Sequence, residues 1–274
     1  MTTTEPTERV RSRPTVGAVL GFGYGVACYL AFVLLLGYGV AFLADVVVPR
    51  TVDSGGHHAA PLTAAVTDAV LLSVFAVQHS VMARPGFKRR WTRLVPSYVE
   101  RSTYVLASSA ALALVFWQWR PIPSVVWDAS APAGRAVIWV LYLLGWGWAL
   151  AMTGAIDHLG MFGLRQVSRR VRGLGDRDPS FAQPLPYRLA RHPMMVGFAV
   201  AFLAAPTMTV GHLLFAALGC GYILVGVRLE ERDLAAELPE YAAYAAETPR
   251  FLPRVVSVDR RRGGGPRPGR RDAS

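Results

Sequence analysis

Residues 194–229 read MMVGFAVAFLAAPTMTVGHLLFAALGCGYILVGVRL, and Arg228 is the only charged side chain among them. A membrane-spanning helix needs about 20 mostly apolar residues, so this run is too long for one span. Pro206 and the stretch Thr207-Met208-Thr209-Val210-Gly211-His212 divide it into two shorter helices joined by a tight turn. Arg191-His192-Pro193 stands at the start of the run, and Leu229-Glu230-Glu231-Arg232-Asp233 at its end. An antiparallel hairpin brings its two open ends together. Arg191 and His192 then lie beside Glu230 and Glu231, and residues nearly forty positions apart share one charged pocket.

Working outward, four further apolar runs cover 16–48, 62–83, 102–119 and 136–156. With the hairpin read as 194–210 and 212–229, the chain is expected to be an all-α polytopic membrane bundle of about six spans. A five-span version makes the hairpin partly re-entrant. The first run is too long, and too far from the N-terminus, for a cleaved signal peptide. Residues 1–15 read as a tail, 16–254 as one membrane domain, and 255–274 as a disordered basic tail.

Arginine placement tests the span count independently. With the N-terminus inside, 26 of the 29 basic residues fall in inner segments, leaving only Arg50, Arg120 and Arg135 outside. That distribution satisfies the positive-inside rule at every loop and puts both ends in the cytoplasm. Composition agrees: 53% of the 274 residues are hydrophobic and 17% charged, against about 25% charged in a soluble domain. The net charge of +11 is nearly all arginine, since Lys88 is the sole lysine. These basic residues sit between apolar runs rather than along one face, so the expected partners are membrane lipids and not nucleic acid. Cys28 and Cys220 lie inside apolar stretches, and no disulfide framework or cysteine-based metal site is indicated.

Ionisable groups within spans are costly and are functional candidates by default. His79 ends the second span, His158 ends the fourth, and Arg191-His192 open the hairpin. Each has a plainer reading: Pro193 at a first helical position, Glu230-Glu231-Arg232-Asp233 as a solvated helix end, Arg191 as one more inner charge. His79, His158 and His192 also admit a metal or haem reading, although no ligand motif supports it. Asp68 reads as paired with a hydroxyl or amide inside the bundle, while His57, His58 and His212 read as solvated loop residues. No phosphate-binding loop, strand-linked Gly-x-Gly-x-x-Gly or inverted repeat is present.

The segment 186–193 (PYRLARHP), Gly197, the segment 229–234 (LEERDL), Tyr241, Tyr244 and 249–253 (PRFLP) resemble the C-terminal signature of membrane methyltransferases, including isoprenylcysteine carboxyl and phospholipid N-methyltransferases. The segments 78–85 (QHSVMARP), 100–106 (ERSTYVL), 116–123 (FWQWRPIP), 162–167 (FGLRQV) and 206–212 (PTMTVGH) resemble the bacterial methanethiol S-methyltransferase family, within the wider NnrU-like group. The likeness covers roughly residues 60–253. Three departures stand out: Met195 where an aromatic is usual, Leu159-Gly160 where Phe-Asp is usual, and Leu238-Pro239-Glu240 in place of a glycine before the tyrosines.

The resemblance implies methyl transfer from S-adenosyl-L-methionine (SAM) to the small thiol methanethiol, giving dimethyl sulfide, at a site facing the cytoplasm of a bacterial membrane. It gives cofactor binding to Tyr187, Arg191, His192, Pro193, Gly197, Glu230 and Glu231. A thiolate is the competent nucleophile, so Arg84, Arg101 and Arg165 are expected to supply positive potential. His79 is the expected base, with His158 second. Other acceptors, such as a lipid, a prenylcysteine or another small thiol, and a non-enzymatic NnrU-like or haem-associated role are the alternatives.

Overall fold

The computed structural model describes residues 14–175 and 183–252. The tail at 255–274 and nearly all of the segment 1–15 lie outside the described residues. Five helices are long and apolar enough to cross a membrane: α1 (Val16–Ala44), α2 (Pro61–Ala83), α4 (Ser97–Gln118), α5 (Pro132–Ile156) and α10 (Val210–Glu237). Short helices lie between them: α3 (Pro85–Trp91), α6 (His158–Met161), α7 (Leu164–Val171), α8 (Leu185–Leu189), α9 (Pro193–Leu203) and α11 (Pro239–Glu247). Pro61, Pro85, Pro132, Pro193 and Pro239 each occupy a first helical position, where a missing N–H costs nothing. The chain is an all-α polytopic membrane protein. Its only strands among the described residues, β1 (Val125–Asp128) and β2 (Thr207–Thr209), form one small antiparallel pair.

Of the two expected arms, the first, read as 194–210, ends earlier at Leu203, which is the five-span arrangement with a half-length first arm. α9 has 11 residues, roughly 16 Å at 1.5 Å per residue, about half the hydrocarbon thickness. Pro206 cannot continue a helix, and the chain leaves α9 at Ala204 and becomes extended at β2. The return to α10 is secured by β1 and by the Ala129 amide, which donates to the Pro206 carbonyl at 2.8 Å. The hairpin therefore keeps its antiparallel sense while only its second arm is a full-length helix. α1 also stops short of its apolar run, because Asp45 adopts a left-handed conformation (φ 55°) and its amide caps the Ala41 and Phe42 carbonyls.

The helices pack as a ring in the order α1, α4, α2, α10, α9, α5. The Tyr142 hydroxyl closes it by donating from α5 to the Val40 carbonyl of α1. Outward side chains such as Leu20, Leu34, Leu62 and Leu143 are exposed and face lipid. An apolar cluster fills the end of the ring that holds only Arg50, Arg120 and Arg135 of the arginines: Phe42, Phe116, Trp119, Tyr142, Trp146 and Phe215. At that same end His212 is fully buried, which corrects its reading as a solvated loop residue. Its imidazole Nε2 lies 3.0 Å from the Phe202 carbonyl, one of the unpaired carbonyls at the end of α9, while its amide donates to Thr209 Oγ1.

Candidate functional site

The opposite end of the ring, the basic face, carries the polar groups. α10 enters it as a continuous helix and presents Glu230 and Glu231 just beyond its apolar stretch. α9 starts beside it at Pro193, with Arg191 and His192 immediately before. His192 Nε2 lies 3.1 Å from Glu231 Oε1, and Arg191 Nε lies 3.2 Å from the same oxygen. His192 Nδ1 is 3.8 Å from Glu230 Oε2. The hairpin thus joins the two charged ends that the sequence separates.

A second guanidinium completes the cluster. Arg250 donates to both Glu231 oxygens, at 2.6 Å through its terminal nitrogen and 3.1 Å through Nε. It is held there because the chain after α11 folds back along the start of α9. The Arg191 and His192 amides donate to the Pro249 and Arg250 carbonyls at 2.9 Å each. Arg191 donates from its terminal nitrogen to Ala245 O at 3.0 Å, tying it to α11. Glu231 is therefore saturated by Arg191, His192 and Arg250, and its side chain is only 12% exposed. Glu230, 51% exposed with one distant imidazole contact, keeps its oxygens available.

Tyr187, on α8, hydrogen-bonds to Met152 O and is buried under this cluster. Burial, reinforced by the Glu230 charge, pushes its phenol up to about 12, so it stays a neutral donor. Burial does the same for Tyr241, with the Glu231 charge adding to it. Pro193 starts α9, and its carbonyl accepts from Trp148 Nε1 at 2.9 Å. Gly197 lies on the α5–α9 seam: a Cβ there would sit 2.7 Å from Gly145 O and 2.8 Å from Ala149 N. Small residues let these two backbones touch, and Gly197's visible task is that close approach.

A second polar cluster lies deeper, on α2. His79 Nδ1 is 3.1 Å from Ser108 Oγ, and the Tyr104 hydroxyl is 2.9 Å from Nε2. Phe75 and Tyr222 border the ring, and no carboxylate pairs with it among the described residues. Gln78 Oε1, next in sequence, is buried without a hydrogen-bond partner. Two links fix this cluster to the first. Ser80 Oγ and the Tyr222 hydroxyl are 3.1 Å apart, while Arg84 bridges from α2 to Leu229 O at 3.0 Å and Asp233 at 2.9 Å. Tyr222 and Glu230 are eight residues apart on one helix, roughly 12 Å along its axis.

The other expected site residues divide. Arg101 stands near Arg84 and Lys88, whose amine is pushed down by burial and then by the Arg101 charge. Arg165 is elsewhere, paired with Asp157 at the α6–α7 turn. His158 is also apart, with Nε2 2.8 Å from the Tyr29 hydroxyl and Nδ1 2.7 Å from Thr153 Oγ1. His79, His158 and His192 are each held by other side chains and no two face one another, so the haem reading gains no ligand pair. Sequence reasoning gave no role to Tyr104, Ser108, Tyr222 or Arg250. Tyr104 and Ser108 are one helical turn apart, and polar groups repeating at that spacing in a span are the signal that marks them.

The geometry leaves a charged mouth and a deeper imidazole on one seam, and that arrangement meets a family match. The NnrU protein family model fits residues 69–258, which include every residue of both clusters. The chain belongs to the NnrU family. The chain is 54% identical over 232 residues to the methanethiol S-methyltransferase of Mycobacterium tuberculosis, covering 84% of this chain and 94% of that protein. It is 46% identical over 238 residues to methanethiol S-methyltransferase 2 of Bradyrhizobium diazoefficiens, covering 85% and 90%. It is 44% identical over 239 residues to the methanethiol S-methyltransferase of a Pseudomonas species, covering 87% and 92%. No solved structure matches the chain.

Proposed function

We propose that this chain transfers a methyl group from SAM to methanethiol, giving dimethyl sulfide and S-adenosylhomocysteine, at the cytoplasmic face of a bacterial membrane. The observation that carries this reading is the 54% identity to a methanethiol S-methyltransferase over 84% of this chain and 94% of that protein. The inner placement of 26 of 29 basic residues supports the cytoplasmic orientation.

The residues present suit the donor. SAM carries an ammonium, a carboxylate and ribose hydroxyls, and bound here it would supply an electrophilic methyl on its sulfonium. Glu230 has oxygens free to accept from the ammonium or ribose, and the unpartnered Gln78 Oε1 offers a second acceptor deeper along the seam. Glu231 takes a different role. Its three partners make it the clamp that fixes Arg191 and His192, leaving the remaining N–H groups of Arg191 for the carboxylate of SAM. Tyr187 closes the floor as a neutral phenol.

His79 accepts the thiol proton. The Ser108 hydroxyl holds its ring at Nδ1, which fixes the orientation a base needs, and the thiol takes the place of the Tyr104 hydroxyl at Nε2 to deliver its proton there. Arg84 and Arg101 favour the resulting thiolate electrostatically. Arg165 and His158 fit a structural role at the α6–α7 turn better than one at the reacting atoms, and Gly197 fits one on the helix seam. The apolar ring around His79, with Phe75 and Tyr222, suits a small methylthio group and excludes water, so positioning supplies much of the rate.

Membranes bearing the full chain, given SAM and a panel of methanethiol, ethanethiol and prenylcysteine, test this by headspace and extract analysis. Methanethiol is expected to be methylated fastest. Ethanethiol, one methylene larger, is disfavoured by about 10- to 100-fold. Preferred turnover of the prenylcysteine would overturn the acceptor assignment.

A further inference from the structure

Outside the site just described, the basic face carries a second built feature, where α2 meets α3. A cleft of about 450 Å³ is lined by Val81, Arg84, Phe87, Arg89, Arg90 and Arg93. Only Arg84 separates the two helices, so the cleft opens where the span ends. Arg84 is already spent on Leu229 O and Asp233. The Arg89, Arg90 and Arg93 guanidiniums have no ion pair or hydrogen bond among the described residues, and all three residues are exposed. No acidic side chain lines the cleft. Lys88 and Arg101 add positive charge behind it, partly offset by Glu100 and Glu237.

What distinguishes this cleft from a merely basic surface is the surface leading into it. Val66, Val70, Val74, Val77 and Val81 are all exposed, and their spacing of three and four residues places them in one stripe along α2. That stripe runs the length of the span and ends at Val81, the wall of the cleft. Phe87 stacks on Trp91 (centroids 5.7 Å, interplanar 25°), giving the cleft an aromatic edge at interfacial depth.

We propose that this cleft binds an anionic phospholipid, its phosphate held by Arg89, Arg90 and Arg93 and one acyl chain laid along the valine stripe. Arginine forks match phosphate oxygens, and the exposed valine stripe suits a hydrocarbon chain. The ligand is a lipid rather than free phosphate because the stripe gives a soluble anion nothing to use.

The full chain in neutral detergent, titrated with phosphatidylglycerol and read by native mass spectrometry, tests this. Wild type is expected to retain phosphatidylglycerol over phosphatidylcholine. Each basic contact at a membrane surface is worth about fivefold in affinity, so Arg89→Gln/Arg90→Gln/Arg93→Gln lowers retention by about 100-fold. The single change Arg90→Gln gives about fivefold, which keeps the test usable if the triple variant does not fold. Arg172→Gln, on the separate cleft beside α7, is expected to change nothing. Equal loss from Arg172→Gln and Arg90→Gln would overturn the proposal, since net charge alone would then explain retention. So would unaltered retention by the triple variant, or displacement of the lipid by glycerol 1-phosphate at equal concentration.

Discussion

Adjacent glutamates on α10 have opposite predicted failures. Glu231 sits 3.1 Å from His192, 3.2 Å from Arg191 and 2.6 Å from Arg250, in a pocket where its side chain is 12% exposed. Glu231→Gln keeps the shape but leaves the nearly buried Arg191 and His192 side chains facing a neutral amide. Removing one partner of a buried ion pair costs about 3–5 kcal/mol, and the lower end applies because Arg250 is 38% exposed. A loss of about 3 kcal/mol lowers the melting temperature of a chain this size by about 10 °C. Glu230, half exposed, holds nothing together, so Glu230→Gln leaves the melting temperature alone. It removes one charge-assisted contact to the methyl donor, worth about 1.5–3 kcal/mol, and raises the KM for SAM by about 10- to 100-fold. Purified protein in detergent, followed by intrinsic tryptophan fluorescence on heating and by SAM titration of initial rates, reads both numbers. A Glu231→Gln melting point within about 2 °C of wild type would refute the clamp. A Glu230→Gln variant that melts early with an unchanged KM would reverse the two roles.

Other expectations follow from single contacts. His79→Ala lowers kcat by about 10²- to 10⁴-fold, whereas Tyr104→Phe gives a smaller loss and shifts the pH–rate profile, because the ring loses its Nε2 partner. Gly197→Ala forces a methyl against Gly145 O, and such overpacking costs about 1–3 kcal/mol, read as a lower melting temperature. Asp53, in the α1–α2 loop, is pushed up by burial to about 6 although Thr209 donates to it. Its folded pKa lies above its unfolded value, so its contribution to stability is complete below about pH 4 and is lost as pH rises through about 6. After screening by solvent the change is about 1–2 kcal/mol. The melting temperature therefore falls between pH 4 and pH 6 more in wild type than in Asp53→Asn, and parallel curves would remove this assignment.

Apolar length and arginine position fix α2 and α5 to within a few residues of their observed ends, because both depend on local sequence. α9 was not legible. Its run continues apolar through Ala204, Ala205 and Pro206, and only the pairing of Thr207–Thr209 with a strand eighty residues earlier makes that segment extended. His212 misled for a related reason: the turn it occupies is covered by the aromatic end of the bundle, which a single-segment reading cannot see. The meeting of Arg191 and His192 with Glu230 and Glu231 was legible from the hairpin alone. Arg250's hold on Glu231 was not, since it depends on the chain reversing after α11. His79 stood out as a polar group in a span, but its partners Tyr104 and Ser108 belong to another helix.

The most direct test of the shared seam supplies membranes with methyl-deuterated SAM and methanethiol and measures labelled dimethyl sulfide in the headspace. Wild type is expected to release the labelled gas, while His79→Ala and Glu230→Gln each release far less at limiting SAM. Undiminished labelled dimethyl sulfide from both variants would contradict a single site joining the deep imidazole to the charged mouth.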